Sequence, residues 1–153
     1  MATINAIISV SSDISDYGLS VNNTMTMNKA GTTDGLEKTT GLHRRSFLST
    51  NQVDLLTAGS GRADEVTASK AAKLYIKNLG TSTTEFFTIG FGNSSGSGTH
   101  TATNGDATAF ELGRLYGGDW MIIPWLAVST TGDITIAPSV STEMDVEYMA
   151  FHE

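Results

Sequence analysis

Hydrophobic and polar residues alternate along this chain in short runs, and the runs end in Gly, Ser, Asn and Asp. A period of two marks half-buried strands. Thr3 to Val10 opens the series. Ser20 to Met27 follows, with Val21, Thr24 and Thr26 set against Met25 and Met27. Gly31-Thr32-Thr33-Asp34-Gly35 is a turn cluster. Leu36 to Ser49 reads as polar and extended, ending in Phe47-Leu48, and Val53 to Ala58 is a short apolar run. Lys73 to Leu79 alternates: Leu74, Ile76 and Asn78 share one face, Tyr75, Lys77 and Leu79 the other. Gly80-Thr81-Ser82 turns the chain into Glu85 to Phe91, and these two runs read as a β-hairpin. Phe110 to Tyr116 is a strand, and Gly117-Gly118-Asp119 a tight turn. Trp120 to Leu126 is the most apolar run. Its length and flanking turns fit a buried strand, while Pro124, with no N–H for a ladder, places it at an edge, a bulge or a strand end. Thr131-Gly132-Asp133 turns into Ile134 to Pro138. Finally, Thr142 to Phe151 puts Met144, Val146, Tyr148 and Ala150 on one face. Asp145, Glu147, Met149 and Phe151 take the other.

Two segments depart from this pattern. Arg62 to Lys73 is the one candidate helix: Asp64-Glu65 at its start and Lys70 and Lys73 near its end suit the macrodipole. Its apolar face (Ala63, Val66, Ala71) is thin. Gly92 to Ala107 is low in complexity and almost without large apolar residues, so burial cannot repay its ordering entropy. It reads as a mobile hairpin loop, because strands of the same character flank it. About eight to ten short strands with regular turns predict an all-β fold over residues 1–153. The class is an antiparallel β-sandwich, jelly-roll or immunoglobulin-like. Strand order is not readable from spacing.

Composition narrows the function classes. The chain has 153 residues and a net charge of −7, with a pI near 4.8. That argues against nucleic acid as a partner, since phosphate binding rests on a clustered positive face. Charged residues make up 16%, against roughly 25% in average globular proteins. The balance is taken by 16 Ser, 22 Thr and 16 Gly. No run approaches the roughly 18 apolar residues of a membrane span, so no membrane partner is expected. The N-terminus lacks a basic n-region and a long apolar stretch, which predicts synthesis in a cytoplasm without a secretory signal. Zero Cys removes thiolate ligands, disulfides and Cys nucleophiles.

Candidate chemistry is sparse. His100 lies in the Gly-rich loop, and His152 is one residue from the C-terminus. Neither is expected to be held as acid–base work requires. His43 sits in Gly41-Leu42-His43-Arg44-Arg45, a solvated strand or turn. Asp13 and Asp16, Asp64 and Glu65, and Asp145 and Glu147 are near neighbours; the last pair is placed to oppose a basic residue. Asn104-Gly105-Asp106 is too short for a calcium loop. The Gly-rich stretches lack the strand–loop–helix setting and Lys of a phosphate cradle. No cofactor, no metal and no enzymatic activity are expected. Candidate interface residues are Arg44, Arg45, Trp120 and Trp125. The Arg44-Arg45 doublet suits a carboxylate on a protein partner, giving orientation rather than affinity. The odd spacing of Trp120 and Trp125 puts them on opposite faces of a regular strand, one toward the core and one toward an interface, where a sugar ligand is the alternative to subunit packing.

Three segments carry a resemblance. They are Ala71-Ala72-Lys73-Leu74-Tyr75-Ile76-Lys77-Asn78-Leu79-Gly80, then Gly113-Arg114-Leu115-Tyr116-Gly117-Gly118-Asp119-Trp120-Met121-Ile122-Ile123-Pro124-Trp125, then Met144-Asp145-Val146-Glu147-Tyr148. Together they resemble small β-sandwich virion proteins of tailed bacteriophages, including cyanophages and other marine phages. The likeness spans roughly residues 70–151 and is a pattern of strands and turns, not a catalytic signature. It implies a structural role in the virion. The first expectation is a capsid decoration, or cement, protein that bridges major capsid protein subunits, itself a homo-oligomer such as a trimer. The alternative is a tail, fibre or receptor-binding module recognising host glycans. The segment 92–107 and the N-terminal strand are the candidates for reaching a neighbour.

Overall fold

In the computed structural model, residues 4–12, 18–29, 32–57, 66, 71–92, 109–127 and 132–153 are described. They form eleven strands and, among the described residues, no helix: β1 (Asn5–Ser12), β2 (Leu19–Thr26), β3 (Lys38–Thr39), β4 (His43–Phe47), β5 (Val53–Leu56), β6 (Ala71–Asn78), β7 (Phe86–Gly92), β8 (Ala109–Tyr116), β9 (Trp120–Leu126), β10 (Ile134–Pro138) and β11 (Met144–His152). All pairings between them are antiparallel. The all-β sandwich expected from the alternation is therefore the fold.

The order of strands follows one rule. β7 pairs with β8, β6 with β9, β5 with β10 and β4 with β11. These nested pairs alternate between two sheets, ordered β5-β10-β7-β8 and β4-β11-β6-β9, with β3 continuing the line of β4 along β11. A long hairpin rolled up on itself gives this order, which is the jelly-roll arrangement. β1 and β2 form a separate two-stranded ribbon.

The alternation places the core. Leu74 and Ile76 of β6, Phe87 and Ile89 of β7, Ile134 and Ile136 of β10, and Val146 and Ala150 of β11 are buried in one cluster between the sheets. Phe47 meets Phe87 edge-on at a centroid distance of 5.6 Å, a favoured aromatic geometry. A smaller cluster, Ala6, Met27 and Leu36, packs on Ile122 and Phe151. It covers part of the outer face of the β4-β11-β6-β9 sheet and seats the base of the ribbon.

Several expectations need correction. β6 and β7 do not form a hairpin, because they belong to different sheets and residues 79–85 cross between them. Turn composition is the same for a hairpin and a crossover; the partner strands decide. Ala71 to Lys73 are strand, not helix, and the rest of that candidate helix lies outside the described residues apart from buried Val66. The fully buried strand is β10, not β9. In β2, Val21 shares a face with Met25, not with Thr24, since their cross-strand partners are Val10 and Ala6. The 92–107 loop lies outside the described residues except for Gly92, which ends β7. The hairpin that it closes, β7 with β8, is present.

The two crossovers, 79–85 and 117–119, meet at Asn78, which is 1% exposed. Its amide nitrogen donates to the Leu115 carbonyl at 3.0 Å, and its side-chain oxygen accepts the Gly80 N–H at 2.9 Å. Its backbone N–H donates to the Asp119 carbonyl, and its carbonyl accepts from Gly118. The second crossover is a tight turn closed by the Asp119 N–H on the Tyr116 carbonyl. Gly118, with φ of 85°, supplies the positive φ that a type II turn requires at that position. Gly117 lies against the first crossover: a Cβ there would stand 2.5 Å from the Ser82 carbonyl oxygen.

Two substitutions test this corner. Asn78→Ala is expected to lower unfolding stability by about 2–4 kcal/mol, because it strands buried backbone groups. The measurement is denaturant unfolding with an unchanged m-value. Gly117→Ala is expected to lower Tm, whereas a residue-neutral turn would tolerate it.

Candidate interaction surface

The outer face of the β4-β11-β6-β9 sheet carries a row of charge that ends in an aromatic. Register aligns Arg44, Glu147, Lys77 and Trp120 across the four strands. The Arg44 guanidinium donates to Glu147 Oε2 at 3.0 Å, so the carboxylate partner of this arginine lies in its own chain. Arg45, on the opposite side of β4, donates to the Asp54 carbonyl and lies 4.9 Å from the Phe47 ring centroid. Asp145 accepts from the Ser46 hydroxyl. The expectation that Asp145 and Glu147 face a basic neighbour holds for Glu147.

The Tyr75 hydroxyl donates to the other oxygen of Glu147, at 3.3 Å. Burial first, and the Glu147 carboxylate second, push the phenol above its ordinary value of 10. Both causes favour the neutral phenol in the folded chain.

The two tryptophans separate as their spacing required. Trp125 is 2% exposed and sits in the core, its ring N–H donating to the Gly132 carbonyl. It offers no surface. Trp120 is 48% exposed on the outward face of β9. His43 stacks on Tyr148 with ring centroids 5.5 Å apart, and its Nε2 lies 2.6 Å from the Thr40 carbonyl. His152 is not a loose terminal residue: it is buried in β11, opposite Lys38 and Ala72. His100, Asp13, Asp16, Asp64, Glu65 and Asn104 to Asp106 lie outside the described residues.

One concavity was not visible from the sequence. A cleft of about 280 Å³ separates the ribbon from β9. It is lined by Ala6, Ile8, Asn23 and Met25 on one side and by Lys73, Ile122, Ile123 and Pro124 on the other. Cross-strand pairing puts Ala6, Ile8 and Val10 of β1 on one face with Leu19, Val21 and Met25 of β2. The inner part of that face closes the cleft. Further out, Val10, Leu19 and Val21 remain 47%, 55% and 45% exposed. Leu126 and Trp120 flank the cleft on the outward side of β9 and are exposed as well. Contiguous exposed apolar surface is a general feature of contact surfaces.

A second depression, of about 100 Å³, lies at the crossovers and includes Glu85, Glu143 and Asp145. Among the described residues no three His, Asp or Glu side chains are grouped to hold a metal ion. No family model, curated protein or solved structure matches the chain.

The Tyr75–Glu147 contact predicts a pH dependence. Stability from the neutral phenol is full below pH 10 and is lost as pH rises through the raised pKa. Glu147→Gln is expected to move the Tyr75 titration back toward its ordinary value. Absorbance at 295 nm follows it, with Tyr75→Phe identifying the residue among the four tyrosines. A midpoint that does not move assigns the shift to burial alone.

Proposed function

We propose that this chain is a structural protein of a tailed-phage particle, a decoration subunit that holds neighbouring major capsid protein subunits together. The observation that carries the reading is the ribbon, two uncharged strands with one mainly apolar face, standing off a jelly-roll body beside the outward face of β9. Residues 4–12 and 18–28 contain no charged side chain, although the whole chain carries −7. Such a surface is suited to burial against another protein. In a shell, symmetry repeats each contact many times, so a modest area per contact is enough. The strand-and-turn resemblance over residues 70–151 supports the particle as the setting. In this reading no step of chemistry is required; the work is done by interface burial.

One observation favours a second reading, a tail or receptor-binding module. Trp120 presents an exposed ring beside Lys77 on the outward sheet face, the kind of platform on which a sugar ring stacks. Trp125, buried in the core, has no part in it.

Copy number decides between them. Quantitative mass spectrometry of purified particles is expected to give an abundance comparable to that of the major capsid protein. A few copies per particle sinks the decoration reading. Trp120→Ala is expected to leave shell binding within about threefold, because one rim aromatic contributes little beside a buried core. Loss of a glycan-array signal in the same folded variant selects the second reading.

A further inference from the structure

Sheet edges differ sharply between body and ribbon. An exposed edge is a template for another strand, and proteins interrupt edges to prevent such pairing. All four edges of the sandwich are interrupted. β5 is four residues long and bulges at Leu55, where the register with β10 shifts. β8 bulges at Leu112, where the register with β7 shifts. The β3–β4 line breaks at residues 40–42, and the Thr40 hydroxyl takes the Ala150 N–H in place of a backbone rung. β9 contains Pro124. The Asn78 N–H on the Asp119 carbonyl sets the phase of the β6–β9 ladder, so Lys73–Pro124 is a non-hydrogen-bonded pair. The missing N–H of Pro124 therefore belongs to the free edge.

The ribbon has none of these devices. β1 and β2 pair over eight residues each without a register shift, and neither holds a proline or a charge. A two-stranded ribbon is marginal in water by itself, and the outer half of this one extends past the residues that seat it.

We propose that the outer edge of β1, which pairs with no strand among the described residues, is where a second copy of this chain joins, strand to strand and antiparallel, about a twofold axis. The ladder phase supports it. Met27 N–H donates to the Ile4 carbonyl at 2.9 Å, so Ala6, Ile8 and Val10 turn their backbone groups toward β2. Asn5, Ile7, Ser9 and Ser11 then turn theirs to the free edge. With Ile8 opposite Ile8 of the second copy, every outward-facing group meets an outward-facing one: Ile7 with Ser9, Asn5 with Ser11. The same register lays Ala6 against Val10 on the apolar face. Charge points to this occupant too: two copies at −7 each meet here without bringing like charges together. β2 is the poorer edge, since Asn23 interrupts its apolar row. The pairing closes at two copies, in place of the trimer that the resemblance implies, and it does not depend on the particle reading.

The test uses the isolated full chain, free of shells. Sedimentation velocity is expected to show a dimer. Ser9→Pro removes an outward N–H and leaves the ribbon's own ladder whole, so it is expected to weaken self-association by about tenfold or more. Asn22→Pro does the same to the β2 edge and is expected to leave the dimer intact. Ile8→Cys, in a chain with no other cysteine, is expected to form a disulfide between copies, since opposed residues in a non-hydrogen-bonded pair lie about 4.5 Å apart at Cα. A monomeric or trimeric wild type overturns the proposal. So does a dimer that survives Ser9→Pro, or one that Asn22→Pro abolishes.

Discussion

The side-chain amide of Asn78 lies where four strand ends and two crossovers come together. Buried and able to make hydrogen bonds in several directions, it is satisfied only when the end of β8 and the 79–85 crossover are in place, while the Asn78 backbone pairs with Gly118 and Asp119 just before β9. A buried amide left without partners is costly, so this corner is formed completely or not at all. The two sheets are held at this end by polar contacts and along their length by apolar packing between β6, β7, β10 and β11. The apolar layer tolerates small shifts in position; hydrogen-bond geometry does not. The amide thus fixes where one sheet lies over the other, and with it the outward face on which Trp120 and Glu147 stand.

That outward face is divided between two uses. Toward β4 it is a charged, self-satisfied surface, with Arg44, Glu147 and Tyr75 joined to one another. Toward β9 it is apolar and partly roofed by the ribbon. An ion pair with an exposed arginine adds little stability, but it withdraws Arg44 from service to an outside carboxylate.

Much of the body was legible in the chain. The faces of β6 and β11 follow directly from period two, down to Asn78 lying beside Leu74 and Ile76. Trp120 and Trp125 separate because five residues is an odd step along a strand. Pro124 marked an edge. What could not be read depends on partners far away in sequence. The run after Gly80 was equally compatible with a hairpin, and only the pairing of β7 with β10 takes it into the other sheet. Glu147 reaches Arg44 across 103 residues. The cleft exists because Met27 and Leu36 anchor the ribbon over Ile122, a contact between segments that share no pattern. His152 gave the opposite lesson: nearness to the chain end suggested looseness, yet β3 and β6 hold it on both sides.

The nested pairing also orders events in time. β10 lies between β5 and β7, and β11 lies between β6 and the β3–β4 line. These two of the four interior strands come from residues 134–152, late in the chain. During synthesis β7 can find β8 soon after it, and β6 can pair with β9 once residues 120–126 have emerged. β3, β4 and β5 have no partner until the last strands emerge, and their loops are long. Non-local pairing of this kind slows folding. The early chain therefore waits with apolar residues such as Phe47, Leu55 and Leu56 uncovered, the interval in which aggregation competes with folding. A composition rich in Ser, Thr and Gly, with few large apolar residues between the strands, lowers that hazard while the roll remains open.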